Sequence, residues 1–259
     1  MIIDKLENAA RFLVSEHKNN QSYKNLPQHL KPSNLDEAYQ TQFIFHRLIG
    51  RGPIGGRKIA LVSKVQQEYL GFNQPTGGCL FKNEILYGPS FINKSSYNGL
   101  GVEFEIAIIL KKDVTKQSKP YNKINVKSYI HSVHSSLELI IDRNANYENI
   151  DALCGIADNS WSGGVVVGDE IINWNNLDFN NITSKLIING NVLEEGSLKE
   201  FDVFDSLSWI FNTYTKFNKT IKKKEVVITG SIFKTRFPQK GDEIIYDVGG
   251  LSKAKVTIK

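Results

Sequence analysis

The stretch GVEFEIAIIL, residues 101–110, decides the fold, because most of its side chains are apolar, β-branched or aromatic. Such a composition is typical of a buried strand. Successive side chains of a strand point to opposite faces, so Val102 and Phe104 share one face and Glu103 and Glu105 share the other. The two carboxylates then lie ~7 Å apart along the strand. Taken alone, the pattern fits either a strand with one solvated face or a pair of cation ligands.

A second apolar stretch, SSLELIIDR at residues 135–143, also carries one acid, Glu138, inside it. Three glutamates on two neighbouring strands can form an all-oxygen site on a shared face. Hard oxygen ligands suit Mg²⁺ or Mn²⁺, which complete their coordination with water or substrate oxygens. The two stretches together indicate a metal site formed by Glu103, Glu105 and Glu138, with two solvated strand faces as the alternative.

Lys58 begins a short apolar segment, residues 58–62, which follows a glycine-rich turn. A lysine at this place is commonly an exposed residue at the end of a strand. The functional alternative is a lysine near a metal and low-dielectric walls, whose pKa is lowered so that it transfers protons.

Residues 152–168, ALCGIADNSWSGGVVVG, place several small polar side chains just before a glycine-rich strand. Such residues favour turns, which is the simpler interpretation. They also offer hydrogen-bond donors and a close backbone approach to an anionic ligand. The residues concerned are Asp158, Asn159, Ser160 and Ser162.

The pattern along the chain predicts an α+β fold in one structural unit. Residues 1–50 are predicted to be helical, with a second helix that begins at the cap residue Asn34 and ends at Gly50. Residues 51–259 are predicted to form a β-rich core, interrupted by a short helix after Ser63 and by a longer one at residues 204–217. Asn189-Gly190 is a strong signal for a hairpin turn.

Composition excludes several classes of protein. The chain has 259 residues, of which 41% are hydrophobic and 23% charged, as is ordinary for a globular domain. The net charge is +5 but the basic residues are scattered, so no nucleic-acid partner is predicted. No apolar run reaches the ~18 residues of a membrane span, and the acidic, amphipathic start is unlike a signal peptide. The two cysteines show no metal-ligand spacing, and we expect a cytoplasmic protein.

Several blocks, taken in order, resemble the branch of the fumarylacetoacetate hydrolase (FAH) superfamily that contains 2-keto-4-pentenoate (2-hydroxypentadienoate) hydratases and 4-oxalocrotonate decarboxylases. The blocks cover most of the chain and keep nearly the family's spacing. They are LDEAYQTQ (35–42), GRKIALVSKVQQEYLGFNQPTGGCLF (56–81), GVEFEIAIIL (101–110), SSLELIIDR (135–143), IADNSWSGGVVVG (156–168), VVITGS (226–231) and KGDEIIYDVGGLSKAKVTI (240–258).

The resemblance implies an FAH-like mixed β-roll core with a small helical N-terminal region. It also implies a divalent metal, Mg²⁺ or Mn²⁺, on Glu103, Glu105 and Glu138, and a proton-transfer role for Lys58. The implied substrate is a short 2-oxo acid or 2-hydroxydienoate, which chelates the metal through its carboxylate and 2-oxygen. The family forms dimers or larger rings, so a homo-oligomer is expected. Substrate binding is assigned to Ser63, Asn159, Ser162 and Ser231.

Four features depart from the family pattern, and one of them is the absence of the family's proline before the strand of the third glutamate, where HSVHSSLE stands. Thr76 stands where the family has an acid that acts with the lysine. Ala60 replaces a glycine after the lysine, and Trp161 replaces a small residue, which narrows the predicted pocket. The metal ligands are therefore intact while the acid–base machinery is altered.

The primary prediction is a metal-dependent lyase that hydrates a small 2-oxo acid. The alternatives are a decarboxylase of a 2-oxo dioic acid and an acylpyruvate C–C hydrolase, which needs a histidine paired with a glutamate. His131 and His134 lie near the third glutamate in sequence but without the motif of such a hydrolase. A relative that binds metal without catalysis is a further alternative.

Overall fold

The chain folds into two β-sheets that pack face to face, with helices at one side, in a computed structural model that describes residues 2–200 and 202–259. Its helices are α1 (Ile2–Lys18), α2 (Leu35–Ile49), α3 (Lys64–Tyr69), α4 (Ala152–Ala157) and α5 (Val203–Lys216). Its strands are β1 (Ile54–Ala60), β2 (Thr76–Phe81), β3 (Ile85–Tyr87), β4 (Ser90–Ile92), β5 (Leu100–Leu110), β6 (Ile130–Ile141), β7 (Ser162–Glu170), β8 (Thr183–Ile188), β9 (Asn191–Ser197), β10 (Val226–Ile228), β11 (Glu243–Val248) and β12 (Ser252–Ile258).

The larger sheet has the strand order β2-β1-β10-β5-β6-β7-β3, and the smaller one has the order β4-β12-β11-β8-β9. Three neighbouring pairs are parallel, namely β1 with β10, β3 with β7 and β4 with β12. The remaining pairs are antiparallel. The long strands β5 and β6 lie at the centre of the larger sheet, so both of their faces are covered.

The apolar face of β5 forms the main core, as the alternation predicts. Val102, Phe104 and Ile106 are buried in the cluster that joins the two sheets. Phe104 packs edge-on against Tyr246 of β11, with ring centroids 5.9 Å apart. Glu103 and Glu105 lie on the opposite face of β5. They therefore lie on the face of the larger sheet that does not pack against the smaller sheet.

Helix ends follow the predicted capping signals. Asn34 accepts a hydrogen bond from the amide of Glu37 at the start of α2, and Gly50 ends that helix with a φ of 77°. Asp202 caps α5 in the same way. The hairpin between β8 and β9 turns at Asn189 and Gly190, whose φ angles of 52° and 78° are left-handed, as the turn signal requires.

Near the glycines, one strand has other bounds than predicted, and a second strand was not predicted. The strand predicted at residues 58–62 is β1, which begins earlier, at Ile54, and ends at Ala60 because Leu61 has a left-handed φ of 54°. Its Gly56 allows β10 to approach, since a Cβ there would lie 2.2 Å from the Val226 carbonyl oxygen. No strand was predicted at β2, where the sequence TGGCLF contains two glycines.

The helical N-terminal region packs on one edge of the larger sheet. Ala10 and Leu13 of α1 and Phe45 of α2 share a buried cluster with Phe81 of β2. Helix α4 contributes Cys154 and Ala157 to the same cluster, and this cysteine, like Cys79, is a buried free thiol. The N-terminal helices thus support β2 from outside.

Candidate active site

The pairing of β5 with β6 brings the three predicted glutamates together. Glu103 lies directly opposite Glu138 in this antiparallel pair, and Glu105 lies two residues further along β5. Residues directly opposite and residues two apart point to the same face of a sheet. Carboxylate oxygens of all three glutamates consequently lie within 4.8 Å of one another.

The carboxylates are buried and only partly satisfied. Glu105 and Glu138 are 1% and 0% exposed, whereas Glu103 is half-buried. The backbone amide of Gly230 donates to Glu105 Oε2 over 2.7 Å, and the Thr235 hydroxyl donates to Glu103 Oε1 over 2.5 Å. Among the described residues, Glu105 Oε1 and Glu138 Oε2 have no hydrogen-bond partner. Unpartnered buried oxygens are rare in proteins, and a cation held between the three groups would satisfy them.

Burial shifts the protonation of these acids. Burial raises the pKa of Glu138 to about 7. The positive charge of Lys58 opposes this increase, and the negative charge of Glu103 adds to it. Burial, and then the negative charges of Glu138 and Glu103, raise the pKa of Glu105 well above its usual value. A divalent cation would reverse this effect, because it stabilises the ionised carboxylates. The donor set is therefore suited to a hard cation with oxygen ligands.

Lys58 lies beside the acidic cluster. Its strand β1 is separated from β5 only by the short strand β10, and its side chain is 2% exposed. The Nζ atom lies 2.6 Å from Glu138 Oε1 and donates to the Ser160 carbonyl oxygen over 2.9 Å. The ammonium is thereby fixed at one point of the site.

In the metal-free protein the pKa of Lys58 is raised, whereas the sequence alternative of a lowered pKa refers to a lysine beside a bound metal. Burial does lower the pKa of Lys58, but the charges of Glu138, Glu103 and Glu105 outweigh burial and raise it above its usual value. A charged ammonium surrounded by carboxylates is a proton donor or a fixed positive charge. It is not a free base at neutral pH.

The loop that holds Lys58 has an unusual backbone. Asn159, Ser160 and Trp161 have left-handed φ angles of 57°, 47° and 58°, a conformation that costs energy for residues with a Cβ. This conformation directs the Ser160 carbonyl oxygen at Lys58. The loop lies so close to β2 that a Cβ on Gly78 would be 2.5 Å from the Asn159 carbonyl oxygen.

Asn159, predicted to bind substrate, holds this loop in place instead. Its side chain accepts from the Cys79 amide over 2.7 Å and donates to the Cys79 carbonyl oxygen over 2.9 Å. Its Oδ1 atom also lies 2.7 Å from His46 Nε2. The side chain is 1% exposed and makes these contacts within the protein, so its assignment to substrate binding is not supported.

The three predicted serines have different positions. Ser231 lines the cavity beside the acidic cluster, where its hydroxyl donates to the Phe233 carbonyl oxygen and accepts from the Phe104 amide. Ser63 caps α3 by accepting from the Gln66 amide, and Ser162 is buried under the loop. Neither of them is among the described residues that line the cavity, so their assignment to substrate binding is not supported.

A cavity of about 320 Å³ opens over Lys58 and Glu103, large enough for a small organic ligand. Thr76, which replaces the family acid, lies in its wall. Among the described residues that line the cavity, Glu103 is the one carboxylate and Lys58 the one cationic side chain. The wall therefore offers no acid that takes the place of the one missing at Thr76.

The burial of the His46 ring predicts a pH dependence of stability. Burial lowers the pKa of His46 to about 3, against the opposing effect of its hydrogen bond to Asn159, while the unfolded chain has a histidine pKa near 6.5. The contribution of His46 to stability is then complete above pH ~6.5 and is lost as the pH falls towards 3. The expected loss is up to about 1.4 kcal/mol per pH unit.

Urea unfolding at pH 7 and pH 5 measures this effect. His46→Gln keeps a donor to Asn159 but cannot be protonated, so its free energy of unfolding is expected to fall less between the two pH values. His29→Gln, at an exposed histidine, is the matched control and should behave as the wild type. Equal pH dependence in all three proteins would contradict the assignment.

None of the described helices combines the length and the apolar character needed to cross a lipid bilayer.

Comparisons with known proteins place these features in a family context. The chain is 26% identical, over 226 residues, to a 2-keto-4-pentenoate hydratase from Paraburkholderia xenovorans. The matched region covers 86% of this chain and 83% of that enzyme. No family model matches the chain.

Solved structures share the fold. The structure of a 4-oxalocrotonate decarboxylase from Pseudomonas putida, complexed with magnesium and adipate, superposes with a TM-score of 0.88 at 20% identity, covering 99% of this chain and 98% of that one. An FAH-family protein from Yersinia pestis superposes with a TM-score of 0.57 at 16% identity, covering 78% of this chain and 92% of that one. The resemblance stated from the sequence and the predicted FAH-like α+β fold are both confirmed.

Proposed function

We propose that this chain is a divalent-metal-dependent lyase that hydrates a short 2-hydroxydienoate, a reaction of the 2-keto-4-pentenoate hydratase type. The observation that carries the proposal is the convergence of Glu103, Glu105 and Glu138 within 4.8 Å, beside a cavity whose lining includes Glu103 and Lys58. Four polar groups in apolar strands carry a large desolvation cost, which a structural role alone does not explain.

The sequence comparison supports hydration, because the bacterial relative described above is named a 2-keto-4-pentenoate hydratase. The prediction of a hydro-lyase is confirmed by this similarity to a named hydratase, at 26% identity. The decarboxylase of the same fold contains magnesium, and we propose Mg²⁺ or Mn²⁺ as the cation of this chain. The three carboxylates would hold it, with remaining positions open to the carboxylate and 2-oxygen of the substrate.

The chemistry can be divided between the cation and the protein. A bound cation would stabilise the enolate-like charge on the 2-oxygen. Lys58 donates a proton to the terminal carbon while the 2-hydroxyl loses its proton to solvent, which gives the conjugated ketone and leaves the Lys58 amine to be reprotonated from solvent. Water then adds to the remaining double bond, with its hydroxyl on the carbon two bonds from the ketone carbon and its proton on the carbon between them. The contacts of Nζ with Glu138 and with the Ser160 carbonyl oxygen support this role, because they fix the donor in one position. Thr76 has no group that ionises near neutral pH, so Lys58 is the proton donor in our account.

Decarboxylation of a 2-oxo dioic acid is the second candidate. It needs the cation and a stabilised enolate but no placed water, so the threonine at position 76 does not oppose it. The similarity to the decarboxylase structure, at 20% identity, supports the fold and does not decide between the two reactions.

The hydrolase alternative requires a histidine base, and neither of the two candidate histidines is placed to act as one. The two ring nitrogens of His134 contact the Gly168 carbonyl oxygen and the Ser132 hydroxyl, and His131 is exposed. Neither histidine is among the described residues that line the cavity. We also propose a cytoplasmic homo-oligomer, as the family resemblance implies.

An absorbance assay with 2-hydroxypenta-2,4-dienoate tests the proposed function. The dienol absorbance should disappear with Mg²⁺ or Mn²⁺ and persist in a chelator. If the dienol persists with metal while CO₂ is released from 4-oxalocrotonate, the decarboxylase is correct. Metal binding without turnover of either compound would favour a relative that binds metal without catalysis.

A further inference from the structure

The two ends of the cavity differ in chemistry. Its charged residues are Glu103, which belongs to the acidic cluster, and Lys58, which lies beside that cluster. The head of a 2-oxo acid would bind at this end. Away from this end, the described lining side chains are uncharged and mostly apolar. A substrate bound by its head group must therefore place its tail against an apolar wall.

Helix α3 contributes to this wall in an unusual way. Its apolar residues Val65 and Tyr69 are 76% and 63% exposed, whereas its Gln67 is buried. Gln67 donates to the Leu61 carbonyl oxygen, which fixes the helix with its apolar side outward. Both exposed side chains line the cavity. Apolar groups at the rim of a concave site gain by being covered with an apolar ligand.

The cavity wall also contains an aromatic pair, Trp161 and Tyr147. Trp161 packs edge-on against Tyr147 and Tyr23, with ring centroids 5.6 Å and 5.0 Å apart. The Tyr147 hydroxyl donates to Asp142 over 3.1 Å, so the polar end of this ring is already used. The left-handed backbone at Trp161 described above holds the indole at the cavity. The wall thus presents ring surface that is suited to an apolar or aromatic tail.

We propose that this region is a tail subsite that selects 2-oxo acids with an uncharged, apolar or aromatic tail and rejects those with a second carboxylate. The subsite is formed by Val65, Tyr69, Ile150 and Trp161. The tail subsite rests on the proposed function, which places the head group of the substrate at the acidic cluster. The proposal names the class of substrate and disfavours the dioic acids of the decarboxylase alternative.

The physical reason is the absence of a cation at the tail end among the described residues. A carboxylate placed there would lose water without gaining a cationic partner. The neutral Nε1 donor of Trp161, which has no hydrogen-bond partner among the described residues, would offset only part of this cost. Filling an apolar pocket changes binding by about 10- to 200-fold for one small group. An apolar tail is therefore expected to bind at least about tenfold more tightly than a carboxylate tail of similar size.

Calorimetry on the Mg²⁺-saturated protein tests the proposal without requiring turnover. The probes are 2-oxohexanoate, 5-phenyl-2-oxopentanoate and 2-oxoadipate, which share a head group and differ in the tail. The first two are expected to bind at least about tenfold more tightly than 2-oxoadipate. Val65→Arg should weaken them and strengthen 2-oxoadipate, because the new guanidinium pairs with the distal carboxylate.

Two variants control for side effects. Val65→Gln changes polarity without charge and should not strengthen 2-oxoadipate. Val192→Arg adds the same charge at a half-exposed valine of β9, outside the cavity, and should leave all three affinities unchanged. If 2-oxoadipate binds as tightly as 2-oxohexanoate, the tail subsite is wrong. If the protein still hydrates the dienoate in that case, the proposed function stands. If none of the acids binds while Mg²⁺ does, the tail subsite and the proposed function both fail.

Discussion

Glu105→Gln is expected to lower metal-dependent turnover of 2-hydroxypenta-2,4-dienoate by about 10³-fold or more. Stabilisation by a bound cation contributes several kcal/mol to such a reaction, and about 1.4 kcal/mol corresponds to each factor of ten. Glu105 is 1% exposed and has one oxygen without a partner among the described residues. Removing its charge weakens the site at the centre of the cluster. Steady-state kinetics over a range of Mg²⁺ and Mn²⁺ concentrations measure the effect.

The same substitution is not expected to destabilise the fold. In the metal-free protein, burial and the charges of Glu138 and Glu103 raise the pKa of Glu105, so its ionised form opposes folding at neutral pH. Glutamine keeps an acceptor for the Gly230 amide and removes this cost. Unfolding of Glu105→Gln in a chelator should therefore require as much urea as that of the wild type, or more.

Glu225→Gln is the matched control. Glu225 is also a buried glutamate, but it pairs with Arg57 over 2.8 Å outside the acidic cluster. Its loss leaves a buried arginine with a missing partner and should lower stability, while the folded protein keeps its activity. If Glu105→Gln and Glu225→Gln lost equal activity, replacing any buried glutamate near this sheet would impair the enzyme. The loss in Glu105→Gln would then no longer support a role of Glu105 in binding the metal.

Lys58→Met is expected to lower kcat by about 10² to 10⁴-fold, the range typical of a lost general acid. Methionine fills a similar volume but cannot donate a proton to the dienol. The substitution also leaves Glu138 without the ammonium 2.6 Å away, so metal binding is expected to persist or strengthen. Stopped-flow measurement of dienol loss, with Mn²⁺ affinity measured in parallel, separates these effects.

Lys58→Arg separates proton donation from positive charge. Arginine keeps the charge but does not release its proton near neutral pH. If Lys58 donates the proton, both variants should be slow, and deuterium transfer to the terminal carbon in D₂O should slow with them. Turnover of Lys58→Met within a few-fold of the wild type would show that the proton comes from elsewhere.

The acidic cluster could be predicted from the sequence because it depends on local alternation. Glu103 and Glu105 share a face in any strand, and Glu138 has the same apolar surroundings in the next long strand. The register that sets Glu103 opposite Glu138 is a tertiary feature. The sequence pattern agrees with that register but does not determine it.

The support around Lys58 could not be predicted, because it depends on contacts distant in the chain. The glycines of β2 resemble a turn in sequence, yet Gly77 lies below the Tyr39 and Tyr214 hydroxyls and Gly78 below the Asn159 carbonyl oxygen. Asn159 resembles a ligand-binding turn residue, but its hydrogen bonds to Cys79 cross 80 positions of the chain. Hydrophobic periodicity contains no information on such contacts.

The most direct measurement is a titration of metal-free protein with Mn²⁺, in which free Mn²⁺ is followed by electron paramagnetic resonance and dienol hydration is followed in the same samples. We expect one tight Mn²⁺ per chain, turnover that rises in proportion to bound Mn²⁺, and loss of both in Glu105→Gln. Hydration by fully chelated protein, or tight Mn²⁺ binding that is unchanged in Glu105→Gln, would contradict the claim that these three glutamates hold the catalytic metal.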